Sequence, residues 1–283
     1  MTGLLGVPLG ARGSGRARYG RAMRLWAEGV LSPAQLEAYR VAAADDRRPP
    51  AEVLEDRRLP VPGDAAPSAE GLLRALLEEA DRYLAGLPGP GVAEVRLGLA
   101  RWRDGAVSLG DAAGNAVVAA HLAPALDVLA GQHPALAGSI AAAAPALNWI
   151  TYDGYDPARI GADFAQGHAY CSLIGEEAHI PAQDYDFGLF LIAPHVLYRD
   201  HAHPAPELYA PLTGPHGWRF GPGRPLVVKP AHCPVWNPPL TPHLTKVGPV
   251  PFLCLFGWTQ DAMAPAHVIP ADDWPELERL RLG

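Results

Sequence analysis

Apolar positions recur at helical spacing through the first half of the chain, and in short runs broken by Gly and Pro through the second. Leu72, Leu73, Leu76, Leu77, Ala80 and Leu84 fall on one helical face, with Ser68 placed as an N-cap. A second stretch with Val117, Val118, His121, Leu122, Leu126 and Leu129 gives way at Pro134, and a third ends at Leu147-Asn148-Trp149. The Pro- and Asp-rich interval 45–67 sets a more N-terminal helical piece apart. After Tyr152 the runs 188–192, 226–228 and 252–256 alternate with turn residues and predict strands of a small barrel. The class is therefore α+β, with a flexible tail expected over 1–20, a helical region over 21–150 serving as scaffold or lid, and a barrel over 151–283. No internal repeat is present.

Composition narrows the function. A chain of 283 residues that is 49% hydrophobic can bury a full core. Its net charge of −7, with no long Lys/Arg cluster, argues against nucleic acid and leaves a small molecule as the expected partner. Cys171, Cys233 and Cys254 are too few and too scattered for a disulfide framework. The first 20 residues carry Arg12, Arg16 and Arg18 but no apolar run of signal-peptide length, and the alanine-rich stretch 135–150 is too weakly hydrophobic to span a bilayer. No membrane association is expected, and a cytoplasmic location is.

Nine of the 11 histidines lie beyond residue 151, so any histidine chemistry belongs to the C-terminal half. There the chain reads His201-Ala-His203-Pro-Ala-Pro-Glu207-Leu-Tyr209, followed by Gly214 at a turn. Side chains alternate faces along a strand, so the odd-numbered His201, His203, Glu207 and Tyr209 can share one interior, with Pro204 and Pro206 loosening the parity between His203 and Glu207. HxHxxxE with a following glycine is the first cupin motif, and its two imidazoles and carboxylate suit one metal ion. A fourth ligand is expected from a later strand. His243, in Pro242-His243 before an apolar strand, is favoured over His232, because Val235 takes the histidine's place if the second motif starts at Pro230. His216 is expected in a turn, and Lys246 and Arg219 as solvated charges on the barrel surface.

At these residues the chain resembles the cupin dimethylsulfoniopropionate (DMSP) lyases and the lyase-like superfamily around them. The segment Tyr198-Arg-Asp-His201-Ala-His203-Pro-Ala-Pro-Glu207-Leu-Tyr209 looks like that family's core, and Pro242-His243 through Trp258 looks like its second motif and closing strand. The likeness spans about residues 70–265 and is specific across about 195–258. The interval 232–242 looks longer than the family's corresponding turn, and the first seventy residues are not covered by the resemblance.

The resemblance implies a C-terminal cupin (double-stranded β-helix) barrel. It also implies a carbon–sulfur lyase that eliminates dimethyl sulfide from DMSP or a related small carboxylate, leaving acrylate. One divalent transition metal ion (Zn, Fe, Mn, Ni or Co) would be held by His201, His203, Glu207 and His243. Tyr209 is the candidate base, since a phenolate is favoured beside a dication. For Tyr198, whose even number breaks the parity, substrate holding and core packing both stay open. Trp218, Trp236, Tyr152, Tyr155 and Trp258 are available to face a sulfonium cation. A homodimer is expected from the way cupins pair. The rival readings are an Fe(II) oxygenase of the cupin type and a non-catalytic cupin that binds a small ligand.

Overall fold

Local capping starts several of the helices. In the computed structural model, which describes residues 14–45, 47–61, 68–110, 112 and 114–283, the N-terminal helices are α1 (Ser14–Ala27), α2 (Pro33–Ala43) and α3 (Pro50–Asp56). Ser32 and Gln35 form a reciprocal capping box at α2, at 3.2 and 2.8 Å. Residues 14–20, expected in a flexible tail, are instead the first half of α1. Their arginine-rich composition hid an apolar face: Ala17, Ala22 and Leu25 are buried, and Arg18 folds back to donate to Ser14 Oγ. Residues 1–13 of that expected tail lie outside the described residues.

The next helices are α4 (Ala69–Ala85), α5 (Val92–Trp102), α6 (Ala116–Ala130) and α7 (Pro134–Ala143). Ser68 Oγ accepts the Gly71 N–H at the start of α4, as its N-cap placement predicts. Asn115 Oδ1 does the same for Val117 and Val118 at α6. The helical stretch does not form one body. One compact unit comprises residues up to Ala80 with Leu126–Pro145, and a second comprises Asp81–Ala125 with Ala146–Gly283. In the first unit Leu25, Leu31, Tyr39, Val53 and Leu54 share one cluster.

In the second unit α5 lies against strand residues through its glycines. The six-membered ring of Trp236 occupies the place a Cβ on Gly91 would take, and the Tyr185 ring occupies that of Gly98. The Tyr185 hydroxyl also donates to the Val95 carbonyl at 2.8 Å. After the short helices α8 (Pro157–Ile160) and α9 (Ala162–Gln166) come eleven strands. They are β1 (His168–Gly175), β2 (Ile180–Pro181), β3 (Asp186–Ile192), β4 (Leu197–Ala202), β5 (Glu207–Pro211), β6 (His216–Arg219), β7 (Val227–Lys229), β8 (Val235–Asn237), β9 (His243–Val247), β10 (Phe252–Trp258) and β11 (His267–Val268); α10 (Trp274–Arg279) follows.

The sheets run β2-β1-β3-β10-β5-β8 and β11-β4-β9-β6-β7. From β3 onward, apart from the β6–β7 hairpin within the second sheet, the chain passes back and forth between the two sheets, which is the double-stranded β-helix of the cupin fold. Aromatic side chains fill its interior: Phe164, Phe190, Tyr198, Tyr209, Trp218, Phe252 and Phe256 belong to one buried cluster. Each such side chain contributes on the order of 1.5–3 kcal/mol by leaving water.

Three side chains lie elsewhere than their chemistry suggested. Arg219 and Lys246 are buried, not solvated. Arg219 is neutralised by Asp200 and Asp273, and Lys246 Nζ donates to the carbonyls of His195 and Glu278 at 2.5 and 3.0 Å. Residues of and beside α10 thus satisfy charges that the second sheet turns inward. His216 starts β6 instead of sitting in a turn, and its ring stands edge-on to Phe252 at 4.8 Å.

Candidate metal centre and cavity

Three strands and one loop bring the centre together. His201 on β4 is directly opposite His243 on β9, His203 follows β4, and Glu207 opens β5. All four are buried. One ring nitrogen of each of His201, His203 and His243 lies within 4.8 Å of the others. Glu207 Oε2 stands 3.2 Å from His203 Nε2 and 3.3 Å from His243 Nε2. The third histidine of the cluster is therefore His243. His232 is elsewhere, with Nδ1 3.0 Å from the Tyr83 hydroxyl.

The hydrogen bonds fix which nitrogens face the centre. Nδ1 of His201, His203 and His243 lies 2.8, 2.8 and 2.9 Å from the carbonyls of Arg199, Ala205 and Thr241. A carbonyl only accepts, so each Nδ1 carries the hydrogen and each Nε2 presents a lone pair. His201 Nε2 and His243 Nε2 are buried without hydrogen-bond partners. Lone pairs converging on a carboxylate repel unless a cation lies among them, so the donor set fits a divalent ion. Burial and the neighbouring histidines hold His201 well below its usual pKa. Burial opposes the charged forms of His203 and Glu207 too, but their mutual attraction wins, raising His203 and lowering Glu207.

Two residues that the motif did not single out as ligand supports hold Glu207. Trp258 Nε1 donates to Oε1 at 2.7 Å, and Asn237 Nδ2 donates to Oε2 at 2.9 Å. Trp258 also stacks on His203, with ring centroids 4.4 Å apart. Both lie opposite Glu207 in the sheet, Trp258 on β10 and Asn237 on β8. The interval 232–242 thus supplies a strand and a carboxylate donor; only the register, which sequence spacing does not give, reveals this.

Tyr198 escapes the parity rule through a bulge in β4 between Tyr198 and His201. The extra residue returns Tyr198 to the interior, where it stacks between Phe164 at 3.9 Å and His201 at 3.8 Å. Its hydroxyl lies 2.8 Å from that of Tyr155. Tyr209 lies 6.4 Å from His243, ring to ring. Burial first, then the Glu207 carboxylate, raise the pKa of Tyr209 well above the usual phenol value.

A cavity of about 590 Å³ opens onto this centre. His203, Glu207, Tyr198 and Tyr209 stand on its wall with Tyr152, Tyr155, Tyr170, Phe190, Phe256 and Trp258. Of the aromatics suggested for a cation, Tyr152, Tyr155 and Trp258 therefore line the cavity. Trp218 is core, and Trp236 packs on Gly91.

Fold and site together define a cupin whose buried histidine cluster can hold a metal. The chain belongs to the dimethylsulfoniopropionate lyase family, whose model matches residues 103–254. Among its relatives, the dimethylsulfoniopropionate lyase DddQ of Ruegeria pomeroyi is 29% identical over 153 residues, 54% of this chain and 72% of the relative. The crystal structure of DMSP lyase DddQ from Ruegeria pomeroyi DSS-3 is similar with a TM-score of 0.51 at 23% identity, covering 70% of this chain and 95% of that one. A chain from the crystal structures of the DMSP lyases RdDddP and RnDddQII gives 0.55 at 22% identity, covering 72% and 100%. At these identities the structures bear on the fold. No helix among the described residues is long and apolar enough to cross a membrane.

Proposed function

We infer that the protein is a metal-dependent carbon–sulfur lyase that splits DMSP into dimethyl sulfide and acrylate. The observation that carries this reading is the convergence of three histidine Nε2 atoms and a carboxylate at the wall of an aromatic cavity, in a chain of this family. His201, His203, Glu207 and His243 would hold the metal. When bound, the ion supplies positive charge that stabilises the anionic character developing beside the substrate carboxylate and favours the phenolate of Tyr209.

Tyr209, on the same wall as Glu207, removes the proton from the carbon next to the carboxylate. That electron pair forms the carbon–carbon double bond of acrylate, and the carbon–sulfur bond breaks with its electrons leaving on dimethyl sulfide. Buried as it is, Tyr209 is a poor base until positive charge stands near it, which ties base strength to occupancy of the centre. Tyr198, held by Tyr155 and stacked on His201, keeps that imidazole oriented and closes the cavity behind it. The carboxylate substrate is the small-molecule partner. A barrel over 151–283 carrying the chemistry, a cytoplasmic location and a homodimer complete the reading, and sedimentation velocity checks the last.

The test is headspace dimethyl sulfide from purified protein reconstituted in turn with Zn, Fe, Mn, Ni and Co and given DMSP. Tyr209→Phe should lower kcat by at least about 100-fold while keeping one equivalent of metal by plasma mass spectrometry. His243→Ala should lose both the metal and the activity. A Tyr209→Phe variant that still turns over at the wild-type rate would remove the tyrosine from the mechanism.

A further inference from the structure

The cavity carries a charge pattern that the metal centre does not explain. Its lining, among the described residues, includes no lysine or arginine, yet includes Glu176, Glu177, Asp186 and Glu207. A substrate carboxylate would therefore find positive charge at the metal end, and the rest of the wall favours a cation.

Asp186 is the acid set into the same sheet as Glu207. On β3 it lies directly opposite Trp258 of β10, which lies directly opposite Glu207 of β5. Directly opposed residues point to one face, and all three line the cavity. With strands about 4.8 Å apart, Asp186 stands about 10 Å along the sheet from Glu207, with the indole between them. Ser172 Oγ donates to Asp186 Oδ2 at 3.1 Å, while Oδ1 is buried and accepts from no side chain. Burial pushes this carboxyl up to about 7 despite hydrogen bonds from Ser172 and from the Phe187 backbone. Such a group is short of a positive partner.

We propose that Asp186, oriented by Ser172, is the counter-charge for the substrate's cationic end and makes the cavity select a cationic over a neutral β-substituent. The identity of that cation rests on the lyase reading; its charge does not. With its carboxylate at the histidine cluster, the propionate chain runs along the row and its sulfonium group comes to lie over Trp258, between an aromatic face and a carboxylate. Asp186 transfers no proton and breaks no bond. It decides which molecules sit in the row.

The test uses two isosteric ligands that differ only in charge and lack a sulfide leaving group: 3-(trimethylammonio)propanoate and 4,4-dimethylpentanoate. Each is titrated calorimetrically into zinc-loaded wild type, Asp186→Asn and Ser172→Ala. Wild type should prefer the cation by at least about tenfold, and Asp186→Asn should reduce that preference to about twofold or less. Affinity for the neutral ligand and zinc content should not change, and Ser172→Ala should fall between the two. Equal binding of both ligands by wild type, an undiminished preference in Asp186→Asn, or equal loss of both ligands in that variant overturns the proposal. Dimethyl sulfide release from DMSP by the same wild-type preparation tests the lyase reading separately. Release with an undiminished preference in Asp186→Asn removes the subsite alone. No release, with a preference that Asp186→Asn abolishes, removes the lyase reading alone.

Discussion

Glu207 shows how much of a candidate metal site depends on residues that would touch no metal. Its two oxygens are aimed by an indole N–H and an amide, each donated from a neighbouring strand. Trp258→Phe keeps the ring that stacks on His203 and deletes the donor. It should weaken metal affinity about tenfold, read by competition with a chromophoric chelator, while the melting temperature of the metal-free protein changes little. An equal loss in Trp258→Phe and Trp258→Leu would assign the effect to packing instead. The proposed ligands were legible in the sequence through the HxHxxxE spacing, although strand parity was not what joined them, since His203 follows β4 and Glu207 opens β5 in the other sheet. Their supports were not, because Trp258 and Asn237 are 51 and 30 residues from Glu207 and meet it only through register. Tyr198 was half legible: its position in the motif marked it, and a bulge that no spacing rule foresees turned it inward.

Strands read well as short apolar runs, and their order did not read at all. The interior of the first sheet is ruled in rows, Glu207–Trp258–Asp186 and, next to it, Tyr209–Phe256–Gly188–Ser172. Gly188 stands where a Cβ would come within 2.0 Å of the Cys171 carbonyl oxygen on β1. Gly188→Ala should therefore force β1 and β3 apart and destabilise the protein by about 1–3 kcal/mol, measured by urea denaturation. Because Ser172 on β1 holds Asp186 on β3, the same variant should also weaken binding of the cationic ligand more than that of its neutral isostere. The helices teach a related lesson. Serine caps and leucine periodicity located α4, but nothing in its pattern tells that Ala80 and Asp81 fall in different compact units, since that division depends on which partner each turn finds.

The whole molecule stores charge inside its second sheet and meets it with its C-terminal segment, which is why Arg219 and Lys246 looked like surface residues. Such charges are costly unless paired, and their partners, Asp273 and the Glu278 carbonyl, come late in the chain. One buried group has no such relief. Both ring nitrogens of His216 lack partners, and burial pushes its pKa down to about 3. Between the ordinary histidine value near 6.5 and about 3, the unfolded chain binds a proton that the folded one refuses. Above pH 6.5 neither state holds that proton and the histidine costs the fold nothing; as pH falls from 6.5 toward 3, the difference lowers stability by up to about 1.4 kcal/mol per pH unit from this residue. His216→Phe should flatten the acid limb of a stability–pH profile measured by urea denaturation; an unchanged slope would place the acid sensitivity elsewhere.

The position of β10 has a consequence for how the protein comes to exist. The strand sits between β3 and β5, yet it is the last long strand to leave the ribosome. Until residue 258 has been made, the two carboxylates have no indole between them and β3 has no neighbour on that side. Contacts so distant in sequence are slow to form. The first sheet can therefore close only after all four residues of the candidate centre have been made, and β10 is the strand that closes it.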